Sequence, residues 1–372
     1  MTVIVTDAHY RSSLAAVRAL AKRGHSVILT QTARDAGKLI PAFKSKYASR
    51  TVLFDCSVTD ADAYKSALVS LASEYERPVL FPIGAKTTAL IAQNREELLK
   101  VCDFTVTDAD TLALANDKSK VRVAAQNAGI PVPQTYEDGE VPSDYPVIIK
   151  PKCGEAFGLK ASERYIIVHS ADKYKQAYAE MEKYGGAPVV QKLVSGDGIG
   201  VSLLMSTDGC AVSAICHKRV REYSVSGGPS ACCESFYDET LVRASERLLA
   251  SIGFSGMAMV EYKGGHLLEI NPRIWGSFPL TYAAGASFAD DYVRLSRREC
   301  VHHELDNYER GVKMSFVFND LAACVGLLRH GRVRDALSGI GDILFRRVRD
   351  GVYDKEDPKP FWCYVRSKIL RK

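Results

Sequence analysis

The sequence predicts two fold types in series, a Rossmann-like α/β domain followed by strand-rich α+β structure. Three observations predict this. Short β-branched runs alternate with helix-like stretches through the first hundred residues, the pattern of a doubly wound parallel sheet. From Asn116 onward extended runs follow one another with little helix between them. The length, 372 residues, exceeds what one hydrophobic core can hold, so two or three domains are expected.

Val3-Ile4-Val5-Thr6 is the first expected strand. In the stretch after it Leu14, Val17 and Leu20 share a helical face, and Gly24 ends the helix. Ser26-Val27-Ile28-Leu29-Thr30, Thr51-Val52-Leu53-Phe54 and Pro78-Val79-Leu80-Phe81-Pro82-Ile83-Gly84 supply strands two to four, the last leading into a helix from about Thr87. The first strand-to-helix turn, Asp7-Ala8-His9-Tyr10-Arg11-Ser12, has no G-x-G-x-x-G, so the dinucleotide fingerprint is absent. Either that helix N-terminus holds an anion with help from Arg11, or it is a plain turn. Asn116-Asp117-Lys118-Ser119 caps a helix running through about Asn127, which Gly129-Ile130-Pro131 ends. Extended runs follow at Pro146-Val147-Ile148-Ile149-Lys150, Tyr165-Ile166-Ile167-Val168, Val189-Val190-Gln191 and Gly200-Val201-Ser202-Leu203-Leu204-Met205. There is no internal repeat and no low-complexity segment.

Composition narrows the function classes. Apolar residues are 47% and charged residues 25% of the chain, the balance of a globular protein. Forty-nine Lys and Arg against 44 Asp and Glu leave +5, too little for wholesale nucleic-acid binding. Residues 301–372 hold 14 basic and 10 acidic side chains, so +4 of that excess sits in the last fifth. The ten cysteines form no C-x-x-C pair and no zinc spacing, and they are expected as reduced thiols. The N-terminus reads as a strand, and no run approaches the ~18 apolar residues of a membrane span. A cytoplasmic protein is expected.

The chemistry concentrates in Glu261-Tyr262-Lys263-Gly264-Gly265-His266-Leu267-Leu268-Glu269-Ile270-Asn271-Pro272-Arg273. Two apolar runs around a Gly-Gly turn form a β-hairpin. Strand alternation puts Glu269 and Asn271 on one face, and a hard divalent cation wants such converging oxygens. A strict two-residue loop would pair Glu261 with Leu268 and leave the glutamates on opposite faces. A three-residue loop or a bulge is therefore predicted, bringing Glu261 to the same face. The alternative is a surface hairpin with solvated glutamates. The apolar context of Glu269 weighs against it, because a buried carboxylate pair without a counter-cation is costly.

Glu269-Ile270-Asn271-Pro272-Arg273 resembles the metal-binding signature of the ATP-grasp superfamily, and Ile274-Trp275-Gly276-Ser277 extends it as in carbamoyl-phosphate-synthase-like carboxylate–amine ligases. Upstream elements occur in that superfamily's order over about residues 1–290. The resemblance implies a Rossmann-like pre-ATP-grasp domain (1–110), an N-terminal or lid subdomain (111–188), a C-terminal catalytic subdomain (189–299) and a basic, helical appendage (300–372). It makes Lys118 and Lys150 the phosphate-binding lysines, and the first-turn position of Lys118 independently favours anions. It places a glycine loop over the phosphates at Cys153-Gly154-Glu155-Ala156-Phe157-Gly158, where Glu155 departs from the usual pattern. Gln191 and the backbone of Leu193 would read adenine, and Asp197 is either the ribose ligand or a structural turn residue. Glu261, Glu269 and Asn271 would hold Mg2+, with Mn2+ as an alternative ion.

A cationic block at His217-Lys218-Arg219-Val220-Arg221 precedes a Ser/Gly loop. Arg221 and Lys218 are expected at the phosphate and acyl site with Arg273, and residues 226–230 along a carboxylate substrate. Cys232 and Cys233 are expected to pack as small apolar residues, and Trp275 and Tyr282 to sit either at the substrate pocket or in the core. The reaction so implied makes an acyl phosphate from ATP and a small carboxylate, then an amide with a small-molecule amine. Its rivals are carboxylation or phosphoryl transfer to a non-amine acceptor, and a non-catalytic nucleotide-binding regulatory module. The tail has arginines between helically spaced apolar residues. It reads either as an amphipathic appendage with a solvated basic face or as a contact for an acidic carrier, partner or membrane.

Overall fold

Three sheets follow one another along the chain in a computed structural model that describes residues 1–32, 39–153, 157, 159, 163–222, 230–302 and 304–369. The first contains β1 (Thr2–Val5), β2 (Ser26–Thr32), β3 (Ala48–Phe54) and β4 (Val79–Phe81) in the order β3-β2-β1-β4, all parallel. Val3 and Val5 face a core shared with helix Arg11–Lys22, whereas Ile4 faces a second core beneath helix Ala61–Ala72. Helices on both faces explain why β1 reads as an unbroken apolar run.

The second sheet is small and antiparallel. β5 (Thr135–Tyr136), β6 (Val147–Lys150), β7 (Ile166–Val168) and β8 (Val189–Lys192) are arranged β5-β8-β6-β7. Helix Tyr174–Glu182 packs Tyr174, Ala177 and Met181 against Val147, Ile149 and Val190.

The third sheet has seven strands: β9 (Gly198–Met205), β10 (Ala211–Glu222), β11 (Ser230–Phe236), β12 (Gly256–Lys263), β13 (His266–Asn271), β14 (Lys313–Ser315) and β15 (Arg349–Asp350). Their order is β13-β12-β9-β10-β11-β14-β15. The expected α/β and α+β architecture is present. The final segment, however, is not only helical, since β14 and β15 complete this sheet.

Buried charge fastens that segment to the body. Arg18 Nε meets Asp357 Oδ2 at 3.0 Å with both side chains 2% exposed or less. Arg18 also donates to the carbonyls of Val352 and Asp357, and the Ser45 hydroxyl donates to Asp357. Nearby, the Arg11 guanidinium lies 3.4 Å above the centre of the Phe316 ring. The carboxylate of Asp7 accepts from the Gly84 amide and the Thr87 hydroxyl. Arg11 thus turns to the C-terminal segment, which of the two alternatives for this turn favours the plain turn, with Arg11 packed on Phe316.

Candidate active site

The hairpin between β12 and β13 sets the geometry. Lys263 pairs with His266 across the two-residue turn Gly264-Gly265, whose φ angles are 51° and 80°. Positive φ at both central residues suits a type I′ turn and needs glycine. A register shift between Glu261 and Tyr262 then leaves Leu268 as an extra residue, so Glu261 stands directly opposite Glu269 and Met259 opposite Asn271. A two-residue loop with a bulge thus places Glu261, Glu269 and Asn271 on one face, and Asn271 Nδ2 donates to Glu261 Oε1 at 3.0 Å.

Helix Lys118–Asn127 points its first turn at this face. Its cap, Asp117, accepts from the amides of Ser119 and Lys120, and Lys118 Nζ lies 2.9 Å from Glu269 Oε2. Lys150 ends β6 with only 9% of its surface exposed. Burial pulls its amine down to about 8; Lys118 adds to the fall, and Glu269 and Glu261 oppose it. Burial would raise Glu269, yet Lys118, Lys150 and Arg219 outweigh it and hold the carboxyl at about 2. Burial raises Glu261 despite the nearby Arg219.

The cationic block divides by strand alternation, and this corrects two sequence-based expectations. Gly200 lies between His217 and Glu261 across three strands, so these residues share a face, whereas Lys218 is opposite Ile199 on the other. Lys218 there pairs with Glu234 at 3.5 Å, half-exposed and away from Glu261. A bulge at Val220 pairs Arg219 with Cys233 but Arg221 with Cys232, so Arg221 leaves the site face, and it reaches Asp320 through Nε and Nη2 at 2.6 and 2.9 Å and Asp342 through Nη1 at 3.0 Å. Its guanidinium serves the C-terminal helices. The cation beside the carboxylates is Arg219, whose Nη2 is 2.5 Å from Glu261 Oε2. The missed signal was the pair Gly198 and Gly200. A Cβ at Gly198 would come within 3.1 Å of Arg219 Cδ, and one at Gly200 within 2.2 Å of His217 Cε1. Two glycines at alternate positions make a trough in which both side chains lie.

The adenine expectation also shifts. The Leu193 amide donates to the Pro146 carbonyl at 3.0 Å and is not free for a base. No partner for the next amide, that of Val194, is found among the described residues. Gln191 is buried and donates to Thr135 Oγ1 at 3.1 Å. The Asp197 carbonyl accepts from the Gly264 amide, and the residue borders a cavity of about 340 Å³. Arg219, Glu222 and Lys263 line one side of that cavity, and Leu327, Arg332 and Ser338 of the C-terminal helices line the other. Arg273 donates from Nη1 to the Ile274 carbonyl at 2.9 Å and lies near enough to Glu261 to lower its pKa. Gly154, Glu155, Gly158 and residues 226–229 lie outside the described residues.

Trp275 is a core residue, edge-on to Phe278 and Phe288, and the Tyr282 hydroxyl donates to Asp354. Cys232 and Cys233 are buried and burial pushes both thiols up, Cys232 to about 12. His217 hydrogen-bonds Ser277 rather than a thiol. Among the described residues no three His, Cys, Asp or Glu side chains converge on a metal. The available donor set is two facing carboxylates and one amide oxygen, all hard ligands that fit Mg2+ better than a transition metal.

Residues 115–277 match the family model of the ATP-grasp domain. This gives the class of that stretch: residues 115–277 are similar to the ATP-grasp domain. Among characterised relatives it resembles the vancomycin/teicoplanin A-type resistance protein VanA of Enterococcus faecium, 29% identical over 119 residues, covering 30% of this chain and 33% of VanA. The vancomycin B-type resistance protein VanB of Enterococcus faecalis is 29% identical over 115 residues, covering 29% and 32%. The chain thus aligns with about a third of the length of these relatives. In fold it resembles biotin carboxylase from Campylobacter jejuni, solved with β-γ-ATP, at a TM-score of 0.64 and 17% identity over 84% of this chain and 74% of that one. The biotin carboxylase domain of Hydrogenobacter thermophilus 2-oxoglutarate carboxylase, solved with MgADP, ADP and bicarbonate, gives 0.62 and 15% over 84% and 73%.

Proposed function

We propose that this chain is an ATP- and Mg2+-dependent ligase that activates a small carboxylate as an acyl phosphate and joins it to an amine, releasing ADP and phosphate. The observation that supports it most is the single face shared by Glu261, Glu269, Asn271, Lys118 and Arg219, with Lys150 close beside it. Phosphoryl transfer asks the protein for positioning and for cations around the equatorial oxygens rather than for a covalent nucleophile. Lys118 and Lys150 hold the nucleotide phosphates. Arg219 and Arg273 offset charge on the transferred group, and Gln191 with the backbone around Val194 meets the base. Glu261, Glu269 and Asn271 would hold Mg2+, which when bound would supply neutralisation of phosphate charge. A substrate carboxylate oxygen attacks the γ-phosphorus and ADP leaves; the amine then attacks the acyl carbon, loses a proton and expels phosphate.

A carboxylase is the second reading, favoured by the biotin carboxylase folds. Screening carboxylate and amine pairs, and separately bicarbonate with acceptors, for ADP release and product mass distinguishes the two. Amine-dependent ADP release with an amide product supports the ligase. Bicarbonate-dependent release supports the carboxylase, and nucleotide binding without release under any acceptor would leave only a binding module.

A further inference from the structure

The last part of the chain carries a surface that the nucleotide site does not use. Helix Val317–Arg329 buries Asp320, Ala323, Cys324 and Leu327. Four of its other apolar side chains, Phe318, Leu321, Val325 and Leu328, are 37% to 47% exposed. Their spacing of three, four and three residues places them in one stripe. Helix Val333–Leu344 buries Ala336, Gly339 and Asp342 while leaving Val333, Leu337 and Leu344 exposed in a second row. Phe318 stacks on Phe361 at 6.4 Å between ring centres, and Phe361 touches the exposed Trp362 at 5.4 Å. An aromatic cluster therefore prolongs the first stripe.

The charge around these rows is one-sided. Residues 317–349 contain six arginines and three aspartates. Asp320 and Asp342 are buried against Arg221, and Asp335 pairs with Arg332. Arg329, Arg334, Arg346 and Arg347 are exposed and have no carboxylate partner among the described residues. Apolar helix faces edged by such arginines match the boundary of an anionic bilayer, where the hydrocarbon accepts the Leu and Trp side chains and the headgroups accept the guanidiniums. A second copy of the chain fits less well, because a two-fold contact would set the same arginines against one another. No helix among the described residues is long and apolar enough to cross a membrane, so the chain would lie on the bilayer.

We propose that helices Val317–Arg329 and Val333–Leu344, with Trp362, form a docking face for an anionic lipid bilayer. The full chain is sedimented with phosphatidylcholine vesicles, with and without phosphatidylserine, at low and high salt. The expected result is binding to phosphatidylserine vesicles, weakened by salt, with a blue shift in emission from Trp362, since the other tryptophan, Trp275, is already buried. Leu337→Asp with Leu344→Asp should abolish binding, and both sites are exposed enough for the fold and nucleotide binding to survive. Arg346→Gln and Arg347→Gln should each lower partitioning by roughly fivefold, from about 1 kcal/mol per arginine near such a surface. Equal binding to pure phosphatidylcholine, or no binding to phosphatidylserine vesicles by a chain that still binds MgATP, overturns the proposal. A dimer in sedimentation equilibrium that the aspartate variant dissociates would assign the face to a second copy instead.

Discussion

Arg219 and Arg221 stand two residues apart on β10 and lead into two charge clusters of similar composition and different construction. Around Arg221 the fork is saturated: Asp320 binds two of its nitrogens and Asp342 a third, with every side chain at most 6% exposed. Around Arg219 the carboxylates are partly open, 13% for Glu261 and 29% for Glu269, and each faces the other across the strands. Burial displaces the titration of Lys150 and Glu261, and the surrounding cations, against burial, displace that of Glu269 the other way. A closed cluster can only hold parts together. An open one has cations and carboxylates whose present partners a metal ion and phosphates can replace, which fits the role proposed for it.

The contrast can be broken in order of effect. Asp320→Ala leaves Arg221 buried with half its partners gone, and loss of one side of a buried pair costs about 3–5 kcal/mol. Urea denaturation should show that loss, and a change below about 1 kcal/mol would place the two clusters in one class. Arg273→Ala should lower turnover by on the order of 10²–10³, the range for removing one preorganised electrostatic donor. ADP release measured on a variant of unchanged denaturation midpoint checks it, and near-normal release would remove Arg273 from the reacting groups.

The trough itself predicts a pH dependence. Burial, with Arg219 nearby, pulls the His217 imidazole from its ordinary 6.5 down to about 3. Below pH 6.5 the unfolded chain takes up a proton that the folded chain refuses, so this contribution to stability is complete above 6.5 and declines as pH falls towards 3. His217→Gln should flatten the stability curve in that window; an unchanged slope would assign it to other groups. The smallest effect is expected at Lys218. Its exposed pair with Glu234 is worth at most about 1 kcal/mol, so Lys218→Ala should keep turnover within about twofold. Arg219→Ala, one residue along, should not.

Much of this was legible before any coordinates. The alternation through residue 100, the Asp117 cap before Lys118 and the strand ending in Lys150 depend on local propensity and hydrogen bonding. So does the need for an irregularity in the 261–271 hairpin, because side-chain parity in a strand is a counting argument. The same counting separates Lys218 from Arg219, but only once a neighbouring strand shows which parity faces the carboxylates, and the bulge at Val220 that turns Arg221 off that face is not visible in the count. Gly198 and Gly200 could have supplied that reference, since paired glycines at alternate positions mark a trough.

Local pattern, then, determined the order of strand and helix, the hairpin, and the residue types on which the proposed nucleotide and metal site draws. Tertiary structure alone decided which cations stand beside Glu261 and Glu269 and which are spent elsewhere. Arg221 and Arg18 find their partners 99 and 339 positions away, and such pairing depends on how sheets and helices meet in space. A buried charge takes the partner that the fold brings within hydrogen-bond reach, and nothing in the neighbouring residues records which one that is.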